Sequence, residues 1–272
     1  MTPRLRRDER EVSTTNLQAR SDWDATLLSS ALTLLSALSK LQPLRISASN
    51  ADWPHANHRN GKRMAEQLLP APEPPEQDGF NPRATIPFGV TTEHLYESMK
   101  EFTTFVGFID AQLRAQKMAR FEDILMAANF NGMVGEFMTR TIPKYCRTVV
   151  KNSRHNGHPD ILPAGKYPND SAQQAGTDGI EIRASRYLKS WQAHKAEDMW
   201  LMMFVFHSGR QNPKPTEQDG FKFLIVAGGL LTKADWPTRK SETGHAMTGE
   251  SVTTSAAERM MSNWIYKCKE LR

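Results

Sequence analysis

Two acidic residues and one cation lie in a short central stretch of the chain. Asp160 follows a proline, and Glu181 and Arg183 occupy alternate positions of the run Ile180-Glu181-Ile182-Arg183-Ala184. Alternation with period two predicts a strand on which Glu181 and Arg183 share one face. Carboxylates on neighbouring strands can bind a hard divalent cation through oxygens, and an adjacent cation can offset charge on a phosphate. The chemistry expected of such a cluster is hydrolysis of a phosphodiester bond.

The elements around this cluster follow a regular order. The pattern predicts a strand over Arg147–Lys151, then the Asp160 segment, the Glu181 strand and a short helix over Tyr187–Trp191. Continuous apolar runs over 200–207 and 221–231 are typical of buried strands. Upstream, helices are predicted from Thr91 or Thr92 to Leu113, over Phe121–Asn129, and from about Asn131 to Ile142, where Pro143 would end the last one. The fold class is therefore α+β, with an α/β core.

The motif and this order of elements resemble those of the PD-(D/E)xK nuclease superfamily, which includes type II restriction endonucleases. Pro159-Asp160 matches the first half of the motif and Glu181-Ile182-Arg183 the second, with Arg in place of Lys. The resemblance covers roughly residues 120–230. It implies a restriction-endonuclease-like mixed β-sheet flanked by helices.

The resemblance also implies the site and the partners. Asp160, Glu181 and Arg183 would be catalytic, and Asp160, Glu181 and the carbonyl of Ile182 would bind Mg²⁺, with Glu136 on the preceding helix facing the metal. The substrate would be double-stranded DNA, cut at a specific sequence by a homodimer. A cognate DNA methyltransferase is expected in the same cell, outside any complex with this chain. The candidate DNA-binding residues are Arg186, Lys189, Arg239 and Lys240.

Arg183 departs from the family pattern. Arginine stays protonated at any working pH, so its role can only be electrostatic. Lys189, six residues further on, is the alternative cation.

The composition and the absence of certain motifs restrict the classes of protein to which the chain can belong. The formal charge of +5 is compatible with a polyanionic partner. The two cysteines, Cys146 and Cys268, lack C-x-x-C spacing, so neither a disulfide framework nor a zinc site is indicated and a cytoplasmic location is expected. No stretch is long enough for a membrane span, and no nucleotide-binding glycine motif or serine-hydrolase elbow is present.

The sequence predicts three regions. Residues 1–69 form a mainly helical N-terminal region, with an amphipathic helix near residues 25–41. Residues 70–90 are a proline-rich linker or extended arm, and residues 91–272 form the catalytic domain. The last helix is expected to begin at Ser255 and to carry an apolar stripe as far as Cys268.

Several alternatives stay open. The apolar seam from Leu95 to Leu113 suits either a core helix or a dimer helix. Glu136 could instead form an i,i+4 ion pair with Arg140. Asp160 and Glu181 could make ion pairs in a DNA-binding or structural protein without catalysis. A repair nuclease that recognises DNA structure rather than sequence would use the same site.

Overall fold

The computed structural model describes residues 71–189, 191–193, 196–208, 220–236 and 250–272. The predicted N-terminal region and the candidates Arg239 and Lys240 lie outside these residues. Within them the chain has the α+β class predicted from the sequence. The helices are α1 (Thr92–Ala115), α2 (Phe121–Ile124), α3 (Ala127–Tyr145) and α4 (Thr254–Ser262).

A six-stranded sheet forms the centre of the molecule. Its strands run in the order β1-β2-β3-β5-β6-β8, and only β3 and β5 pair in parallel. Two further short strands, β4 and β7, form a separate antiparallel pair. The strand bounds are β1 Val149–Lys151, β2 Ile161–Pro163, β3 Ile180–Ser185, β4 Gln192–Ala193, β5 Met199–His207, β6 Lys222–Leu231, β7 Glu250–Ser251 and β8 Trp264–Lys267.

Helices cover both faces of the sheet. On one face, α1 and α3 pack against side chains such as Met202 and Phe204, and on the other face α4 packs against side chains such as Leu201 and Met203. Successive residues of β5 therefore point into two different cores. This explains why the strand reads as a continuous apolar run, as the sequence predicted.

The seam of α1 belongs to the core of its own chain. Leu95, Met99, Phe102 and Val106 are completely buried. Of the two roles considered for this helix, the structure supports the core role. Thr91 caps its N-terminus, as predicted, and its backbone N–H donates to Nδ1 of His94 at 3.1 Å.

Several predicted boundaries were wrong. The helix α3 does not stop at Pro143 but continues to Tyr145, and the backbone N–H of Cys146 still donates to the Ile142 carbonyl at 2.9 Å. Glu101 accepts hydrogen bonds from Lys144 Nζ at 2.9 Å and Tyr145 OH at 2.6 Å, which ties this last turn to α1. The run Phe121–Asn129 is divided at Leu125 between α2 and α3.

The helix expected near Tyr187 is not formed in the described residues 186–189. Its place is taken by a turn in which Tyr187 N–H donates to Ser185 Oγ and the indole of Trp191 donates to the Tyr187 carbonyl, both at 3.0 Å. Burial of Trp191 in the core beside α4 favours this turn.

The last helix is shorter than predicted. Thr253 rather than Ser255 is its N-cap, and the helix ends at Ser262. The following segment, Trp264–Lys267, pairs with β6 at the sheet edge, because β-branched and aromatic residues suit a half-buried strand.

The proline-rich stretch packs along the edge of the sheet that β8 forms. Glu73 N–H donates to the Phe221 carbonyl at 2.8 Å, and Asn81 N–H donates to the Ile265 carbonyl at 2.9 Å. Phe80 forms an isolated bridge to Tyr266. Residues 71–90 thus form an extended arm, one of the two arrangements expected for them. No helix in the described ranges is long and apolar enough to cross a membrane.

Candidate active site

Asp160 joins the two halves of the motif. It directly precedes β2, and its carbonyl accepts from Asn152 N–H at 2.8 Å, which extends the pairing of β1 with β2. Its side-chain Oδ2 accepts from the backbone N–H of Ile182 at 2.8 Å. The carboxylate therefore binds β3 at the middle residue of the Glu181-Ile182-Arg183 triplet, as expected of residues on successive strands.

A close approach of the two strands makes this contact possible. Gly179 lies just before β3, and a Cβ at that position would clash with the Ile161 carbonyl and the Pro159 ring. Only glycine fits there, and its absence of a side chain lets β3 lie against the start of β2.

Glu181 is the most buried carboxylate of the cluster. Its side chain is only 3% exposed; Oε1 forms an ion pair with the Arg183 guanidinium, and Oε2 lies 3.4 Å from Nδ1 of His158. The direct ion pair confirms that Glu181 and Arg183 share a face of the strand. His158 was not among the predicted site residues. Its position beside Pro159-Asp160 was the only sequence signal for it.

The close packing of charged groups in this cluster shifts the pKa values of Asp160 and His158. Burial, together with the neighbouring charge of Glu181, raises the pKa of Asp160 to about 7, although the Ile182 N–H, Arg183 and His158 act in the opposite direction. The hydrogen bond that protonated His158 donates to Glu181 raises the pKa of His158 despite partial burial. Two carboxylates that share a confined site repel each other when both are ionised. A bound cation would relieve this repulsion.

A polar cleft opens beside the cluster. Its volume is about 790 Å³. It is lined by Glu136, residues 151–158, Asp160, Gln173, Gln174 and Arg183. The cleft therefore brings together Asp160, Arg183 and Glu136, three of the residues that the sequence proposed for one site.

Glu136 extends from α3 into the cleft, where its carboxylate forms ion pairs with two cations. Its Oε1 contacts Arg140 at 2.8 Å and also forms an ion pair with Lys151. Burial raises the pKa of Glu136, but the hydrogen bond and charge of Lys151, with the charge of Arg140, outweigh it and lower the pKa overall. The expected i,i+4 ion pair is thus present. The carboxylate lines the cleft but is neutralised by two cations.

Lys151 is a cleft residue that the sequence reasoning missed. It ends β1 and pairs with Ile161, the residue after Asp160. The signal was available in principle, because an antiparallel hairpin between the two predicted strands sets lysine and aspartate close together.

The glycines ahead of Glu136 have a smaller role than expected. A Cβ at Gly135 would lie 3.8 Å from the Ile182 carbonyl, an ordinary contact, and one at Gly132 would meet nothing within 4 Å. The helix passes near β3 at Gly135, but the packing does not require glycine at either position.

The site residues offer oxygen ligands for a metal. The described residues contain no group of three or more His, Cys, Asp or Glu side chains arranged around a metal ion. The available donors are the carboxylates of Asp160 and Glu181 and the Ile182 carbonyl, which lies on the same strand edge as the N–H bound by Asp160. Oxygen donors of this kind fit Mg²⁺, which usually takes one or two protein carboxylates and completes its shell with water.

Arg186 and Lys189, the two DNA-binding candidates within the described residues, do not line this cleft. Arg186 is buried, with its guanidinium 5.5 Å from the Phe130 ring centre and 5.9 Å from that of Phe206, so its prediction as a surface phosphate contact was wrong. Lys189 is exposed but lines a different, more apolar cleft beside α4. It is therefore not placed to replace Arg183.

Comparison with models of known families, with curated proteins and with solved structures finds no match to this chain.

Proposed function

We propose that the chain is a Mg²⁺-dependent endonuclease that hydrolyses phosphodiester bonds of double-stranded DNA at a specific sequence. The observation that carries this proposal is the contact between Asp160 and the Ile182 N–H, with Glu181 and Arg183 on either side. It brings two carboxylates and one cation together in one cluster. Asp160 and Arg183 of this cluster line the polar cleft, and Glu181 is buried behind them. The order of a helix, three strands and a further strand supports a restriction-endonuclease-like core, although the expected intervening helix is replaced by a turn.

The two carboxylates would hold the metal ion. Asp160 and Glu181 have the hard oxygen donors that Mg²⁺ prefers, and burial together with the charge of Glu181 raises the pKa of Asp160, so a bound cation would favour its ionised form. When bound, Mg²⁺ polarises the scissile phosphate and lowers the pKa of water.

Arg183 would act through its charge. Its side chain is 23% exposed, so it can face both Glu181 and the cleft. In the reaction a water oxygen forms a bond to phosphorus, and the bond from phosphorus to the leaving oxygen breaks, with negative charge on the phosphoryl oxygens. A guanidinium can donate hydrogen bonds to those oxygens as the charge develops. It cannot accept the proton released by the water, which passes to solvent.

A second candidate has its own support. Glu181 is paired with Arg183 and His158, and Glu136 is paired with Arg140 and Lys151, as expected of a cluster that only stabilises the fold of a DNA-binding protein. The burial of Asp160 beside Glu181 favours the nuclease, because neighbouring carboxylates with perturbed pKa values next to a cleft are typical of functional sites.

The direct test is cleavage of supercoiled plasmid DNA. Discrete fragments with Mg²⁺, and none with EDTA, are the expected result for the wild-type chain. Asp160→Asn and Glu181→Gln should both abolish cutting. A smear would favour the nuclease that recognises DNA structure, and no cleavage with Mg²⁺ or Mn²⁺ would favour the protein without catalysis. The homodimer, the cognate methyltransferase and the cytoplasmic location stay predictions that follow from this proposal.

A further inference from the structure

A single buried amide holds two loops of the cleft together. The side chain of Asn152 donates from Nδ2 to the carbonyls of Pro159 at 3.0 Å and Ala172 at 2.8 Å. Its Oδ1 accepts from the backbone N–H groups of Arg154 at 3.0 Å and Ala172 at 3.2 Å. Four hydrogen bonds use the full capacity of an asparagine side chain. The amide therefore fixes the two loops relative to each other.

Backbone contacts make these loops a single rigid unit, here called the loop pair (residues 152–158 and 172–175). His158 N–H donates to the Gln173 carbonyl at 3.1 Å, and Ala175 N–H donates to the His158 carbonyl at 2.8 Å. At Gly157 a Cβ would clash with the Ala172 carbonyl and lie 2.7 Å from Arg154 Cβ. Most of the residues that line the cleft belong to this unit.

The loop pair presents one arginine in a fixed orientation. Nε of Arg154 donates to Oε1 of Gln173 at 3.0 Å, and Nε2 of Gln173 donates to the Asn156 carbonyl at 3.3 Å. The rest of the Arg154 guanidinium, with Nη1 and Nη2, makes no hydrogen bond or ion pair within the described residues. Lys151 and Arg183, the other two cations of the cleft, both pair with glutamates. Arg154 thus differs from them in having its outer donors available for a ligand.

The chemistry of these side chains matches the edges of DNA bases. An arginine fork makes two hydrogen bonds to N7 and O6 of guanine, and asparagine and glutamine amides bind adenine in the same way. The loop pair exposes arginine, asparagine and histidine with glutamines, and it carries no lysine. Phosphate binding requires charge, and base reading requires orientation. The restraint of Arg154 by Gln173 supplies orientation.

We infer that the loop pair is the base-reading surface of this protein, with Arg154 contacting a guanine edge and Gln173 positioning the Arg154 side chain. This inference rests on the proposed function, because it assigns the sequence specificity of the same cleft. The scissile phosphate would lie at Asp160, next to the base pairs read by the loop pair.

The test separates specificity from affinity and needs no cleavage. The full chain in EDTA is incubated with duplexes that carry a randomised central segment, and the bound fraction is sequenced. Affinity for the unselected pool is measured in parallel. The wild-type chain should enrich a motif with at least one guanine. Arg154→Lys should bind the unselected pool as well as the wild type but lose about 5- to 150-fold of its preference at that guanine, the range for one bidentate pair. The matched control is Arg83→Lys, because Arg83 is exposed and does not line the cleft.

Gln173 provides a second variant. Gln173→Ala should reduce the guanine preference while affinity for the unselected pool is kept. Gln173→Glu should keep part of the preference, since a carboxylate can still accept from Arg154 Nε although it cannot donate to the Asn156 carbonyl. Equal melting temperatures among the variants establish that each one is folded.

The outcomes distinguish this inference from the proposed function. If Arg154→Lys keeps the motif and Arg154→Ala weakens all sequences alike, Arg154 contacts phosphate and the inference is wrong. If the wild type binds and cuts DNA without any sequence preference, the inference fails while the nuclease function stands. If the wild type neither binds nor cuts DNA, both are overturned.

Discussion

The two halves of the sheet differ in the length of their strands and in how completely the strands pair. The strands β5 and β6, with nine and ten residues, pair from end to end apart from one irregularity at Val205/Phe206, and most of their residues are buried on both faces. The strands β1 and β2 have three residues each, and β2 meets β3 at a single residue pair, Ile161 with Ile180. The first half is stabilised by apolar burial on both faces. In the second half, apolar residues such as Val149 and Ile161 still enter the core, and polar side chains replace the missing ladder contacts.

This difference explains how the sheet positions a polar side chain of the candidate site. Where the pairing of β2 with β3 ends, the Ile182 N–H has no backbone partner and binds the Asp160 carboxylate instead. Every buried backbone donor needs an acceptor, and a side chain that fulfils this need is held rigidly. The geometry of the candidate site thus follows from the short pairing of β2 with β3. The longer pairing of β5 with β6 stabilises the sheet beside it.

The largest effect is expected from the apolar half. Phe204 on β5 is completely buried among aromatic and methionine side chains. Phe204→Ala should lower the free energy of unfolding by about 3–5 kcal/mol, because it removes buried apolar surface and leaves a cavity. Urea denaturation measures the change. Tyr187→Ala is the control, since this side chain is 68% exposed and its loss should change stability little. A cost below about 1 kcal/mol for Phe204→Ala would remove the contrast between the halves.

In the polar half, the largest expected effect is on the rate of DNA cleavage. Arg183→Ala should reduce the rate of DNA cleavage by about 100- to 1,000-fold, the usual loss for one donor to developing charge. Arg183→Lys should keep measurable activity because the positive charge stays in reach. Lys189→Ala is the matched control and should cleave at the wild-type rate, since Lys189 lines another cleft. Single-turnover cleavage measures all three variants. The assignment of the cation would be wrong if Lys189→Ala lost activity and Arg183→Ala kept it.

A smaller effect on stability is expected at the loop pair. Asn152→Ala removes four hydrogen bonds and leaves buried backbone groups of Pro159 and Ala172 without partners. The total cost should be about 1–3 kcal/mol, because relaxation of the surface loops lets water satisfy most of these groups. Ser153→Ala, which removes one exposed hydrogen bond to the Asn169 carbonyl, is the control. If Asn152→Ala melts like the control, the two loops are not held by this amide.

The sequence predicted the parts of the molecule that depend on local pattern. Alternation at Glu181, the apolar runs of β5 and β6 and the seam of α1 were each correct, because burial on one or two faces sets the spacing of apolar residues. The motif also located Asp160 and Glu181 in one cluster.

Features that depend on distant partners were missed. Lys151 lines the cleft because β1 pairs with β2, and the Asn152 side chain forms hydrogen bonds with the backbone of Ala172, twenty residues away. Arg186 is buried because rings from α3 and β5 surround its guanidinium. Trp264–Lys267 was assigned to a helix because its apolar spacing suits a helix as well as a strand, and the open edge of β6 decides between them.

The central claim is that Asp160 and Glu181 share a divalent cation, and the most direct measurement is the free energy of unfolding against pH, with and without Mg²⁺. Without metal, an acid whose folded pKa is raised binds more protons in the native state than in the unfolded state. Stability should therefore fall as pH rises from about 5 through the Asp160 pKa of about 7. His158, with its raised pKa, contributes a slope of the same sign. The lowered pKa of Glu136 contributes nothing in this window, because that carboxyl is ionised throughout it in both states.

Asp160→Asn isolates the contribution of the carboxylate. Between pH 5 and pH 8, metal-free wild type should lose about 2 kcal/mol more than Asp160→Asn, since each pKa unit corresponds to about 1.4 kcal/mol. Adding Mg²⁺ at pH 8 should restore the stability of the wild type and leave Asp160→Asn nearly unchanged. Equal stabilisation of both proteins by Mg²⁺, or none of either, would contradict the shared cation.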